Sequence, residues 1–342
     1  MKLAGIALAA AGVVAGYGAE RVLLGRERHR PDPDALESFR PPEHALHRHV
    51  PTDDGGEVHV MELGAGRPLV LLHGITLSTL SWHYQLLDLP DRYRVLALDH
   101  RGHGKSRAGS DSWSLERLAR DLGQVLEELD LRDAVLVGHS MGGMTTLRFA
   151  VDQPRVLEER VAGLVLMSTA GGAIHRLAAW GALTKTVTPR VARGLALAER
   201  ARGGLFPSSD LSHLVFRLGV GRGASPTLVE LNRLMTAATP VSVWGELLAD
   251  VIGFDVLDKL GKVTVPAVVL VGTADLLTPP SAARKLVAAL PNARPLELFA
   301  GPGHLLMMER PDDVNQRIRR FVDGLGSSDA MAPTASEELA GG

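Results

Sequence analysis

The chain has 342 residues and no cysteine, which excludes disulfide bonds, thiolate metal sites and a cysteine nucleophile. This length suits one large α/β domain with an insertion, or two small domains, and 45% apolar with 22% charged residues is the balance of a globular protein. A formal net charge of -2 argues against nucleic acid as a partner.

The chain begins with a hydrophobic segment. Residues 3–19 carry no charge and are mostly Ala and Gly, whereas a membrane-spanning helix needs about 20 apolar residues. We predict that residues 1–24 form an uncleaved anchor, with a cleavable signal peptide or a surface-lying helix as alternatives. The arginines that follow outweigh Lys2, so the expected protein associates with a membrane through residues 3–24 and keeps its catalytic domain in the cytoplasm. Export is the alternative.

Both ends of the folded part are flanked by segments without a regular period. Residues 25–56 are rich in Arg, His, Pro, Asp and Glu, which is typical of a linker. Residues 326–342 are rich in Gly, Ser, Ala and acidic residues, which is typical of a disordered tail. We expect no chemistry from either segment.

Between these flanks, short apolar runs alternate with stretches of helical spacing. Several runs are apolar on both faces, as parallel strands buried under helices are. The predicted strands are 58–61, 68–72, 94–98, 134–137, 163–167, 265–271 and 295–299. The sequence therefore predicts an α/β fold with a mostly parallel central sheet flanked by helices, formed by residues 57–170 and 251–325. Residues 171–250 break this rhythm with Leu-, Ala- and Arg-rich helical stretches, so we predict a helical insertion there.

The strand at 134–137 is followed by the sequence Gly-His-Ser-Met-Gly, in which Ser140 is the central residue. This matches the pattern G-x-S-x-G between a strand and a helix. The pattern suits a turn so tight that the serine has a strained backbone and an exposed hydroxyl, because glycines two residues to either side leave room for it. Ser140 is the predicted nucleophile.

A serine hydroxyl needs a base, and the base needs a carboxylate that fixes its tautomer. His304 lies in a Gly-Pro-Gly-His loop after the last predicted strand, where a loop can bring an imidazole to the nucleophile. Asp275 follows the strand at 265–271 and therefore lies at the same edge of the sheet. We predict His304 as the general base and Asp275 as the residue that orients it.

Two further loops end strands at this edge. His73 and Gly74 follow the strand at 68–72, and the glycine permits close approach, so we predict the amides of Ile75 and Met141 as oxyanion donors. In the loop at 99–106, Asp99 and Arg101 are predicted to form a structural ion pair in the turn.

These motifs, in this order, resemble the α/β-hydrolase superfamily, and the resemblance covers residues 56–325. It implies the α/β-hydrolase fold with a helical cap at 171–250, and a serine-nucleophile esterase or lipase-like enzyme. Haloalkane dehalogenases and epoxide hydrolases carry an aspartate where this chain has Ser140, which points away from both.

The predicted activity is hydrolysis of a small-molecule carboxylic ester or lactone through an acyl-enzyme on Ser140. No metal or organic cofactor is expected. The same residues would also serve a cofactor-free perhydrolase of the haloperoxidase type or a carbon–carbon bond hydrolase, so these remain alternatives. A more distant alternative is a membrane-tethered binding protein without turnover.

Overall fold

The computed structural model describes residues 32, 36–111, 113–173, 216, 217 and 219–325. Its strands are β1 to β8 in chain order: Leu46–Pro51, Glu57–Leu63, Arg67–Leu72, Tyr93–Leu98, Ala134–His139, Val161–Met167, Ala267–Gly272 and Glu297–Phe299. Its helices are α1 to α9: His83–Asp88, Leu115–Glu128, Met141–Asp152, Pro154–Arg160, Pro226–Ala238, Val241–Gly253, Pro280–Ala289, Leu306–Glu309 and Pro311–Asp323. Short 3-10 helices cover Leu36–Ser38, Thr79–Trp82, Leu89–Asp91 and Leu257–Lys262.

The strands form one eight-stranded sheet in the order β1-β2-β4-β3-β5-β6-β7-β8. β1 pairs with β2 and β2 with β4 in antiparallel fashion, and all other neighbours are parallel. The predicted fold class is therefore confirmed. Because the parallel strands run in one direction, the loops that follow β3, β4, β5, β7 and β8 meet at one edge of the sheet.

Helices cover both faces of the sheet. Within β3, Val70 and Leu72 belong to one apolar cluster, and Leu69 and Leu71 belong to the cluster on the opposite face. All four side chains are fully buried. This two-sided burial explains why the central strands are continuous apolar runs in the sequence rather than alternating ones.

β1 lies inside the predicted linker at 25–56, so the folded part begins earlier than the sequence indicates. The strand is an edge strand, paired on one side only, and most of its residues are exposed. Exposed edge positions accept polar residues such as His47, Arg48 and His49, which removes the apolar pattern that identified the other strands.

The predicted ion pair between Asp99 and Arg101 is wrong. The buried guanidinium of Arg101 instead contacts Asp54, at 2.8 Å, and Asp121, at 2.6 Å. Arg117 joins the same cluster through Asp121, at 2.7 Å. Burial opposes the charge on Arg101, but these two carboxylates raise its pKa well above the usual range. The cluster ties the turn before β2 to helix α2.

The predicted membrane-anchored localisation is wrong. In the described residues, no helix is long and apolar enough to cross a membrane; the longest, α2, has 14 residues, whereas a span takes about 20. The predicted anchor at 1–24, the predicted tail at 326–342 and the insertion residues 174–215 lie outside the described part of the chain. The rest of the predicted cap includes α5 and α6.

Candidate active site

Ser140 occupies the turn between β5 and α3 with a strained backbone. Its φ of 52° and ψ of -117° lie where residues with a side chain rarely occur. The turn is held because the Ser140 amide donates to the Met167 carbonyl, at 3.0 Å, and the Thr169 hydroxyl donates to the Ser140 carbonyl, at 2.7 Å. A side chain at Gly142 would collide with the carbonyl of Leu72. The glycine of the motif is therefore required by close packing.

His304 lies in the loop after β8, directly beside Ser140. Its Nε2 is 2.9 Å from the Ser140 hydroxyl, and its Nδ1 is 3.0 Å from Asp275 Oδ2. As whole residues, His304 and Ser140 are 8% and 7% exposed, so the pair is close to solvent but screened from most of it. An Nδ1 that donates to a carboxylate leaves Nε2 as the acceptor for the serine proton.

Asp275 is held by the loop that follows β7. Its Oδ1 accepts from the amides of Leu277 and Thr278, both at 2.9 Å, and its Oδ2 accepts from the Thr278 hydroxyl at 2.8 Å. Burial acts to raise the pKa of Asp275, but His304 and Thr278 outweigh it and lower the pKa to about 2. The carboxylate is therefore charged at neutral pH and faces His304.

The loop after β3 brings its backbone to the same place. A Cβ added to Gly74 would lie 3.2 Å from Ser140 Cβ, so the loop passes as close as a glycine allows. His73 Nδ1 donates to the Gly74 carbonyl at 2.7 Å and fixes the bend. Among the described residues, no acceptor pairs with the amide of Ile75 or of Met141. Both predicted donors are therefore free to bind a ligand oxygen.

The next residue of that loop, Thr76, has a positive φ of 62°. Its amide donates to His103 Nε2 at 3.2 Å, while His103 Nδ1 donates to the Arg101 carbonyl at 3.1 Å. Asp99 holds the neighbouring turn, because its carboxylate contacts His59 Nδ1 at 2.7 Å and accepts from the Thr79 amide at 2.8 Å. The loop at 99–106 therefore supports the loop at 73–77.

Three side chains at the site were not predicted from the sequence. His139 Nε2 donates to the His304 carbonyl at 2.8 Å, Thr278 contacts Asp275, and Glu309 accepts from the Gly303 amide at 3.0 Å. The sequence could have indicated His139, because it is the residue directly before Ser140 in the motif. Thr278 and Glu309 follow Asp275 and His304 at short spacing, but nothing in their neighbours distinguishes them from surface residues.

Buried neutral histidines give the fold a predicted pH dependence. Burial lowers the pKa of His100 and of His139 to about 3, whereas an unfolded histidine has a pKa of about 6.5. Between these values the unfolded chain binds protons that the folded chain does not, so the free energy of unfolding falls as the pH falls below about 6.5.

His100→Leu isolates one of these sites, because none of the described residues hydrogen-bonds to its buried Nε2. Urea unfolding at about pH 7.5 and about pH 5.5 gives the free energy of unfolding at each pH. The decrease in this free energy between the two pH values should be smaller in the variant than in the wild type, by up to about 1.4 kcal/mol per pH unit. An equal loss in both proteins would contradict a neutral His100 in the folded state.

Over the ranges that the structure describes, no three His, Asp or Glu side chains are grouped so as to hold a metal ion. A serine hydroxyl, an imidazole and a carboxylate in hydrogen-bonded series, next to two unpaired amides, can carry out acyl transfer.

Comparison with known proteins identifies the family and the fold. A family model described as alpha/beta hydrolase fold matches residues 67–311. The chain is 31% identical over 287 residues to a non-heme chloroperoxidase of Streptomyces lividans, covering 80% of this chain and 98% of that one. A solved thermophilic esterase from Thermogutta terrifontis matches with a TM-score of 0.68 and 26% identity, covering 83% of this chain and 100% of that one. Est816, described as an N-acyl homoserine lactone degrading enzyme, matches with a TM-score of 0.63 and 25% identity, covering 80% and 100%.

Proposed function

This chain belongs to the α/β-hydrolase family, and we propose that it hydrolyses a carboxylic ester or a lactone through an acyl-enzyme formed on Ser140. The observation that carries the proposal is the series of contacts from Ser140 Oγ to His304 Nε2, at 2.9 Å, and from His304 Nδ1 to Asp275, at 3.0 Å. Esterase and lactone-degrading relatives support the ester class.

In the first half of the reaction, Ser140 Oγ attacks the carbonyl carbon while its proton passes to His304 Nε2. The carbonyl oxygen becomes an oxyanion, which accepts hydrogen bonds from the amides of Ile75 and Met141. The tetrahedral intermediate then expels the alcohol, which takes the proton from His304, and the acyl group remains on Ser140.

In the second half, a water molecule gives a proton to His304 and attacks the acyl carbon. The intermediate collapses, Ser140 recovers its proton from His304, and the carboxylic acid leaves. Asp275 stays ionised throughout and stabilises the imidazolium that forms twice in the cycle. His73 and Gly74 act only by holding the loop that carries Ile75.

A second function uses the same acyl-enzyme. If hydrogen peroxide replaces water in the second half, the product is a peracid rather than an acid, and the proton transfers are unchanged. The 31% identity to a non-heme chloroperoxidase favours this activity as the alternative. Cleavage of a carbon–carbon bond by the same residues is the other alternative.

A substrate panel separates the two functions. We expect p-nitrophenyl esters of increasing acyl length and simple lactones to be hydrolysed without peroxide, with at least one ester turned over well above the buffer rate. The measurement is nitrophenol release or lactone-opening acidification, repeated with peroxide and a halogenation indicator. Turnover only when peroxide is present would favour the perhydrolase, and no turnover of any ester or lactone would contradict the main proposal.

A further inference from the structure

Hydrogen bonds connect one part of the insertion to both loops of the candidate active site. The part concerned is residues 219–239, here called the insertion segment, which contains helix α5. One set of bonds reaches the loop that carries His304, and the other reaches the loop that carries Ile75.

On the His304 side, the contact is made by backbone groups and one carboxylate. The His304 amide donates to the Gly219 carbonyl at 3.0 Å. The Glu309 carboxylate accepts from the amide of Gly221, at 2.7 Å, and from the amide of Gly303, at 3.0 Å. Glu309 therefore bridges the insertion segment and the residue directly before His304.

The packing at this bridge leaves no room for adjustment. A Cβ added to Gly303 would lie 2.5 Å from the Gly221 amide nitrogen, so the two backbones touch. Burial raises the pKa of Glu309, against hydrogen bonds that favour its charged form. Two backbone amides donate to this partly buried carboxylate, and hydrogen bonds to a charged acceptor are strong. Glu309 therefore fixes the positions of both amides.

On the other side, the insertion segment contacts Thr76, next to the predicted oxyanion donor Ile75. The Thr236 hydroxyl donates to Thr76 Oγ1 at 3.0 Å, and the Thr239 hydroxyl lies 3.4 Å from the Thr76 carbonyl. Residues other than glycine rarely adopt a φ of 62°, so this conformation of Thr76 persists only if its surroundings stabilise it. The hydrogen bonds from Thr236 to the Thr76 hydroxyl and from the Thr76 amide to His103 stabilise it.

From these two sets of contacts we propose that the insertion segment positions both the general base and the oxyanion amide, with Glu309 and Thr236 as positioning residues. The inference rests on the proposed function, because it assigns its effect to His304 and Ile75. A displacement of about 1 Å at a reacting group can cost about 100-fold in rate, so loss of either contact should act on turnover.

The test compares isosteric and conservative variants in full-length protein. Thr236→Val removes the donor hydroxyl and Thr236→Ser keeps it. Glu309→Gln can keep an oxygen at the Oε2 position, to which both amides donate, but it loses the negative charge and places an NH2 group 3.1 Å from the Gly303 amide nitrogen. We expect kcat for the best p-nitrophenyl ester to fall about 10-fold in Thr236→Val and in Glu309→Gln, with KM within about two-fold of wild type. Thr236→Ser should restore kcat to within about two-fold.

The control is Asp312→Asn, which should leave kcat and KM unchanged. Asp312 also carries a carboxylate and is close to Glu309 in the chain, but it is exposed. Thermal unfolding of each variant reports whether it is folded at the assay temperature. Wild-type kcat in both Thr236→Val and Glu309→Gln would overturn the inference, and so would a loss confined to KM or a Ser variant as slow as the Val variant. Absence of ester hydrolysis in the wild type would instead contradict the proposed function and, with it, this inference.

Discussion

Ser140→Ala should reduce ester hydrolysis by about 10⁴-fold or more while leaving the fold intact. The substitution removes the nucleophilic oxygen that lies 2.9 Å from His304 Nε2. No other group can form the acyl-enzyme, so the remaining rate comes from binding and the oxyanion donors alone, as in serine hydrolases whose nucleophile has been removed. Alanine keeps the same backbone strain, so the far-ultraviolet circular dichroism spectrum and the melting temperature should change little.

The chain offers a matched control in Ser168. Like Ser140, this serine is buried, has a positive φ, of 45°, and follows a central strand, β6. None of the described residues hydrogen-bonds to its hydroxyl, and the proposed mechanism does not use it. Ser168→Ala should keep kcat/KM within about three-fold of wild type. Equal losses in both variants would indicate damage to the sheet edge rather than loss of a nucleophile.

Asp275→Asn should lower kcat by about 10⁴-fold, with a much smaller change in KM. The amides of Leu277 and Thr278 both point at Oδ1, so the asparagine oxygen takes that position and its NH2 group faces His304 Nδ1. His304 Nδ1 lies 3.0 Å from the position of this NH2 group and 3.1 Å from the oxygen. The NH2 group therefore favours the tautomer with the proton on Nε2, which cannot accept the serine proton, and the charge that stabilises the imidazolium is lost. Steady-state kinetics on the best ester from the panel gives the comparison.

Asp255→Asn is the control for this substitution. Asp255 accepts from the amide two residues ahead, Leu257, as Asp275 does from Leu277, but it is exposed and does not hydrogen-bond to His304. Its activity should equal that of wild type. An active Asp275→Asn enzyme would mean that another group orients His304, and the assignment of Asp275 would be wrong.

The sequence was sufficient to predict which residues meet at one edge of the sheet, and the reason is physical. Residues that follow buried parallel strands converge in space, so Ser140 after β5, Asp275 after β7 and His304 after β8 could be brought together from the strand pattern alone. The glycines next to Ser140 added local information, because close packing in a tight turn allows no side chain there.

Contacts between distant loops could not be predicted in this way. Arg101 pairs with Asp54 and Asp121 because two loops and helix α2 meet in space, whereas sequence proximity favoured Asp99. Glu309 and Thr236 are ordinary polar residues in the sequence, and only the folded chain brings them to the loops of His304 and Ile75. β1 was missed because an exposed edge strand needs no apolar pattern.

The most direct test of the account is to react the wild-type protein with a fluorophosphonate and to map the modified peptide by mass spectrometry. An activated serine attacks phosphorus, displaces fluoride and keeps the phosphonyl group. We expect one modification, on Ser140, whose formation slows strongly in Asp275→Asn and disappears in Ser140→Ala. Folded wild-type protein that remains unmodified at Ser140, or that is modified at another residue, would contradict the claim that Ser140, His304 and Asp275 act together.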